Sequence, residues 1–330
     1  MLTKADLDRL WNLPLVPTPI HFPVVVAGTQ EEIAGWIFTP PIIRPEAPAI
    51  VVDLYPGATY CKDYWHLTGP AFPGKSYSFA QYLVEQIGAI VVACDHLGTG
   101  ESSRPPDGRT VTLKRMAEAR ALVARQIRER LGNGTLLPEI PALPQIRLDG
   151  IGHSAGAAIL THLQGGEALY DAVGILGWSQ QALFLPGVDQ ATAAAALAPD
   201  ARGYIPSTQR AAMRPFFYGS FVAPDLMEAD ERLATALPTG SAPLFMTPGV
   251  TAEAAAAITA PVYLAFGEVD CSPDPHAEVA CYPQARDVTL YILPGSAHAH
   301  NLAPTRQHLW HQIALWLRRV AQAHLLAEAA

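Results

Sequence analysis

Lysine is scarce in this sequence. Lys4, Lys62, Lys75 and Lys114 are all it has, and arginine carries most of the positive charge. Acidic residues outnumber basic ones, 30 to 22, for a formal charge of −8. That balance argues against a surface for nucleic acid or anionic membrane. No apolar run approaches the roughly 18 residues that a spanning helix needs. The start, Met1 to Asp8, lacks an apolar core and a cleavage site, so a soluble, cytoplasmic protein with no secretion signal is expected. The four cysteines, Cys61, Cys94, Cys271 and Cys281, are scattered. Cys94 falls in an apolar run and is expected to be buried; Cys271 and Cys281 are expected as free thiols rather than a pair. His308 and His311 lack a third ligand within range, so no metal is expected, nor any cofactor. Repeats and phosphate cradles are missing too, which leaves nucleotides and sugar phosphates out of the substrate range.

What the chain does have is apolar surface to bury. Half its residues are hydrophobic and 16% are charged, enough for a sizeable core. At 330 residues it fits one large α/β domain or a domain with an insertion. A short helix and a Pro-rich lead-in are expected over residues 1–20. Two strands follow, at 24–27 and 33–38, split by Gly28-Thr29-Gln30. Ala49 to Leu54 and Gly88 to Cys94 are near-continuous apolar runs, the pattern of strands covered on both faces. Between them Ser76 to Gln86 suits a helix. From Thr112 to Leu131, Leu113, Met116, Ala119, Val123, Ile127 and Leu131 form one apolar stripe; the arginines of this helix are expected on a solvated face. Strands are expected again at 146–151, 171–176, 260–266 and 288–293, with a last amphipathic helix carrying Leu309, Ile313, Trp316 and Val320. Alternating strands and helices predict a mostly parallel, doubly wound sheet, with ligands at the strands' carboxyl ends. The alternation stops over residues 180–258. That stretch has an Ala-rich helix (190–197), an aromatic patch (Phe216, Phe217, Tyr218, Phe221) and an acidic helix (224–237), and is expected to be an inserted helical cap. The core is then 1–179 with 259–330.

Gly152-His153-Ser154-Ala155-Gly156 sits between an apolar strand and a helix. This is G-x-S-x-G in a strand–turn–helix setting. The glycines let strand and helix approach closely, and the helix N-terminus favours negative charge beside the serine. A serine hydroxyl is a weak nucleophile that needs a base, usually His, and a carboxylate to orient it. The strand ending at Phe266 runs into Gly267-Glu268-Val269-Asp270. The strand ending at Leu293 runs into Pro294-Gly295-Ser296-Ala297-His298-Ala299-His300. His153 is expected to pack under the elbow. Asp95 and His96 are expected to shape a turn, and Asp149, in an apolar strand, has no evident reason to be there.

On these motifs, together with the turn Asp95-His96-Leu97-Gly98-Thr99-Gly100-Glu101-Ser102, the sequence resembles the α/β-hydrolase family over roughly residues 23–325. The resemblance implies Ser154 as nucleophile, His298 as general base and acid, and Asp270 as orienter. It favours His298 over His300, and Asp270 over Glu268 and Asp274. Pro56-Gly57 stands where the family often has His-Gly. By position the oxyanion donors are then the N–H groups of Ala58 and Ala155. The implied reaction is hydrolysis of a carboxylic ester or lactone, bulky and apolar, through an acyl-enzyme. An amidase, thioesterase or acyltransferase would use the same three residues, and a non-catalytic binding protein on this fold is the alternative of another class.

Overall fold

The computed structural model describes residues 13–328. The N-terminal helix expected from the sequence lies largely outside them. β1 (Thr18–Val26) and β2 (Thr29–Phe38) form an antiparallel hairpin. Its turn is Ala27-Gly28, both at positive φ (49° and 77°), the two-residue turn whose twist matches paired strands. The strands are therefore longer than expected, and the turn starts one residue earlier.

β3 (Ala49–Tyr55), α1 (Phe79–Ile87) and β4 (Ile90–Cys94) follow. Ser78 caps α1 by accepting from Gln81 N, and Gly88 closes it in the left-handed conformation. α2 (Leu113–Gly132) starts at Thr112, whose side chain accepts from Arg115 N. Then come β5 (Ile146–His153), α3 (Ala155–Glu167) and β6 (Ala172–Leu176). After β6 the elements shorten: α4 (Gln190–Ala196), β7 (Tyr204–Ile205), α5 (Arg214–Tyr218), α6 (Pro224–Glu231), β8 (Leu237–Pro238), α7 (Ala242–Phe245) and α8 (Ala252–Ala257). The acidic helix stops at Glu231 rather than 237, because Leu237 and Pro238 pair with β7 instead. β9 (Val262–Gly267), β10 (Val288–Leu293) and α9 (Arg306–Glu328) complete the chain.

Eight strands form one sheet in the order β1-β2-β4-β3-β5-β6-β9-β10. The six from β4 to β10 run parallel, and the β1–β2 hairpin adds two antiparallel strands at one edge. The doubly wound, mostly parallel sheet expected from the sequence is thus present. β4, β6 and β9 are buried at every residue, as continuous apolar runs require. Among the described residues, no helix is long and apolar enough to cross a membrane. The four cysteines are free thiols.

Two buried charges correct the sequence reading. Arg120 on α2, expected in a solvated face, is wholly buried and donates to Asp53 in the middle of β3 at 2.5 Å. Tyr170 donates to the other Asp53 oxygen at 2.7 Å, and the guanidinium lies 4.0 Å from the Tyr55 ring centre. A buried carboxylate drew the arginine inward, since an unpaired buried charge costs several kcal/mol. Asp149 is explained in the same way. It pairs at 2.9 Å with Arg147, two residues earlier and so on the same face of β5.

Candidate active site

β5 ends at His153, and Ser154 takes φ 54° and ψ −122° before α3 begins. This is a strained conformation for any residue but glycine. Its surroundings hold it there. Ser154 N donates to Leu176 O at 2.8 Å, and Ser154 O accepts from Ala158 N at 3.0 Å. The flanking glycines are required by backbone contact. A Cβ on Gly156 would stand 2.2 Å from Tyr55 O, and one on Gly152 2.7 Å from Ala157 N.

The loops after β9 and β10 bring the other expected residues to this point. His298 Nε2 lies 2.8 Å from Ser154 Oγ, and His298 Nδ1 lies 2.6 Å from Asp270 Oδ1. The neutral tautomer therefore carries its proton on Nδ1, donated to Asp270, and Nε2 accepts from the serine hydroxyl. Asp270 Oδ1 also accepts from Cys271 N at 2.6 Å, and Oδ2 accepts from Gly267 N at 2.8 Å. His300, the rival of His298 in the sequence, donates Nε2–H to Asp270 Oδ2 at 2.7 Å. One carboxylate thus serves both histidines, and only His298 reaches the serine.

Electrostatics follow from burial. Burial alone would raise the Asp270 pKa, but the His298 and His300 rings outweigh it and hold the carboxyl well below its usual range. Burial pushes His298 below its ordinary 6.5; Asp270 opposes that shift, while His300 and Arg210 add to it. His153 is buried beneath, stacked on Tyr64 with ring centres 4.8 Å apart, and donates Nε2–H to His298 O at 2.7 Å. Burial and the neighbouring histidines keep His153 neutral. Gly177, at the end of β6, gives the His298 ring its space: a Cβ there would lie 3.1 Å from His298 Cε1.

Ala58 follows β3 in the turn Gly57–Tyr60, closed by Tyr60 N donating to Gly57 O at 3.1 Å. Gly57 packs on the elbow, where a Cβ would sit 3.2 Å from Ser154 Cβ. His96 fixes the same turn by donating to Pro56 O at 2.8 Å, and burial pushes its pKa down to about 3. Asp95 accepts from Lys62 N and Glu101 N at 2.7 Å each, which is turn shaping as the sequence suggested. Among the described residues no hydrogen bond engages the N–H of Ala58 or Ala155.

Ser154, His298 and Ala58 open on a common cleft. Its walls are apolar, with Leu183, Leu185, Ala193, Leu197, Ile205, Met213, Phe216, Phe217 and Phe245 supplied by the chain between β6 and β9. Of the aromatic patch, Phe216 and Phe217 face the cleft; Tyr218 is buried behind it and donates to Asp230 at 2.7 Å. Phe216 stacks on the His298 ring at 4.2 Å.

The remaining candidates lie elsewhere. Glu268 accepts from Gly295 N at 2.7 Å on the surface, and Asp274 caps the turn at His276 and Ala277. His308 and His311 are exposed on α9. Asp270, Cys271 and His298 place potential metal-ligand atoms within 4.8 Å of one another, but both Asp270 oxygens are committed to the bonds above and burial keeps the Cys271 thiol protonated. Sequence reasoning missed Glu278. It is buried and accepts from Ser179 Oγ, Gln180 N and Ser272 Oγ, fastening the loop after β6 to the loop after β9. It also missed the Arg210–Asp230 pair, buried at 2.7 Å against the cleft. Glu278 and Arg210 lie in short stretches with no periodic signal of burial, and nothing in the pattern of α6 singles Asp230 out from its other acids.

Such a sheet, with a serine at the β5–α3 turn facing a histidine and a carboxylate from later loops, defines a hydrolase of the α/β-hydrolase superfamily. Residues 54–307 match the sequence pattern of the alpha/beta hydrolase family, and the chain belongs to that family. No curated protein matches it in sequence. Solved structures share the fold at low identity. A thermophilic esterase from Thermogutta terrifontis is 13% identical with a TM-score of 0.61, over 91% of this chain and 99% of its own. An N-acyl homoserine lactonase complexed with N-hexanoyl homoserine is 14% identical with a TM-score of 0.61, over 93% and 98%. A haloalkane dehalogenase from Bradyrhizobium elkanii is 14% identical with a TM-score of 0.59, over 94% and 100%.

Proposed function

We propose that the chain hydrolyses a bulky, largely apolar carboxylic ester or lactone through an acyl-enzyme on Ser154. The supporting observation is the 2.8 Å approach of Ser154 Oγ to His298 Nε2 at the floor of an apolar cleft. Ser154 Oγ attacks the carbonyl carbon as its proton passes to His298 Nε2. Asp270 holds the ring and stabilises its cation. The carbonyl oxygen becomes an oxyanion, met by the N–H groups of Ala58 and Ala155. Collapse expels the alkoxide, which takes the proton from His298. Water then repeats the cycle and frees the acid. No cofactor is required. Residues 180–258 act as the cap whose apolar side chains receive the substrate.

Incubation with a fluorophosphonate and mapping of the labelled peptide tests this. Label is expected on Ser154 alone, and Ser154→Ala should lose labelling and on the order of 10⁴–10⁶ in kcat. Undiminished hydrolysis by Ser154→Ala would end the proposal.

A further inference from the structure

Two hydrogen bonds hold the His298 ring at its nitrogens, Nδ1 to Asp270 at 2.6 Å and Nε2 to Ser154 Oγ at 2.8 Å. A hydrogen bond tolerates roughly 30° of bending before it weakens much. Bonds at the two nitrogens therefore leave the ring free to rock out of line with the serine. A contact on the face of the ring resists that motion.

That contact comes from α5, in the chain between β6 and β9. The Phe216 ring lies on the imidazole, with 4.2 Å between centres and 28° between planes. Tilting either ring would drive an edge into the other's face, so a stacked pair of this kind keeps its planes. His153 and Phe217 meet the same imidazole at wider angles, 43° and 52°, and at 4.8 and 5.7 Å. The backbone repeats the attachment. The last carbonyls of a helix have no partner within it. In α5, two of them accept from the loop that carries His298: Phe217 O from Ala299 N at 2.8 Å, and Phe216 O from His298 N at 3.4 Å. α5 is itself anchored. The Phe217 ring centre lies 4.0 Å from the Arg210 guanidinium, and Tyr218 donates to Asp230 at 2.7 Å. The helix thus brings Phe216 to the imidazole as a fixed surface.

From this we infer that Phe216 is a positioning residue for His298: its ring, stacked on the imidazole, holds that ring in the plane that joins Asp270 to Ser154. The inference rests on the proposed acyl transfer at Ser154. It gives the chain between β6 and β9 a part in proton transfer beyond walling the cleft.

Three variants of the full chain test it with p-nitrophenyl acetate, butyrate and octanoate: Phe216→Leu, Phe216→Met and Phe216→Tyr. Leucine keeps apolar bulk in the cleft wall and removes the flat face. Acylation and deacylation both pass a proton through His298, so whichever limits turnover is slowed. Phe216→Leu should lower kcat roughly 10- to 100-fold, by the same factor for all three esters. Phe216→Tyr keeps the face and should restore most of the rate. Phe216→Met, apolar and without a ring, should resemble Phe216→Leu, which keeps the test open should the leucine variant misfold. A residue that only walls the cleft would act otherwise: its loss would sit in KM and grow with acyl length. The inference is overturned by a folded Phe216→Leu or Phe216→Met protein with unchanged kcat, or by a loss confined to KM or rising from acetate to octanoate. An equal loss in Phe216→Tyr overturns it too. The unmodified protein is labelled with fluorophosphonate in parallel: absence of label on Ser154 sinks the acyl-transfer reading, whereas normal labelling with unaffected variants sinks only the role of Phe216.

Discussion

Asp270 accepts four hydrogen bonds, two of them from histidine rings, yet only the His298 ring continues to Ser154. The two histidines should therefore differ sharply on substitution. His298→Ala is expected to cost about 10⁴–10⁶ in kcat, because it removes the proposed proton acceptor. His300→Ala removes one of four bonds to the carboxylate and should cost about 100-fold or less. The reverse order in kcat would move the base to His300. The pH profile follows from the sign of the His298 shift. The proposed mechanism needs the neutral ring, and burial lowers its pKa from 6.5. Activity should thus be lost only as pH falls through a midpoint below 6.5, and a kcat/KM midpoint above 6.5 would contradict the geometry. That Ser154, Asp270 and His298 meet was legible in the sequence through motifs that follow three strands and resemble those of the family. The double use of Asp270 was not, since it depends on how the loop from Ser296 to His300 folds back.

At the scale of elements, α2 is fixed to β3 by charge as well as by its apolar stripe. Arg120→Met would leave Asp53 buried without its cation, and is expected to destabilise the protein by about 3–5 kcal/mol. Removing both charges, in Arg120→Met with Asp53→Leu, should recover much of that loss. Urea unfolding of the two variants measures the difference; equal stability of Arg120→Met and the unmodified protein would show that the pair contributes nothing. The six parallel strands and the long helices were readable from apolar pattern to within a few residues, whereas β1 starts at Thr18, six residues before the expected strand. Arg120 was misread because a helical wheel built on apolar positions ranks every arginine as solvated. Only the partner, an aspartate amid the apolar run from Ala49 to Leu54, carried the opposite signal. The short elements between β6 and β9 were less legible: a two-residue ladder such as β7–β8 has too little sequence to leave a pattern.

Across the whole molecule, the cleft takes its floor from loops at the sheet's carboxyl edge and its walls from the chain between β6 and β9. Apolar burial contributes roughly 25 cal/mol per Å². In a series of p-nitrophenyl esters, kcat/KM should therefore climb with acyl length until the cleft is full, then fall. Aromatic lactones of similar bulk should also be accepted. If acetate were preferred to every longer ester and lactone, the walls would not be receiving substrate. The break in strand–helix alternation after β6 was readable, and so was the apolar composition of the stretch that lines the cleft. Which side chains face inward was not, because that depends on contacts between segments far apart in sequence.

The closeness of Gly156 to Tyr55 O, and of Gly152 to Ala157 N, bears on what inheritance can alter at the elbow. Both contacts are made by backbone, and neither involves the hydroxyl of Ser154. The pattern G-x-S-x-G thus records two separable demands, one for clearance and one for reactivity. A lineage could exchange the serine for another nucleophile, such as a carboxylate or a thiol, and keep its architecture intact. Loss of either glycine would instead close off every such chemistry at once, so the glycines should outlast the reaction they now serve.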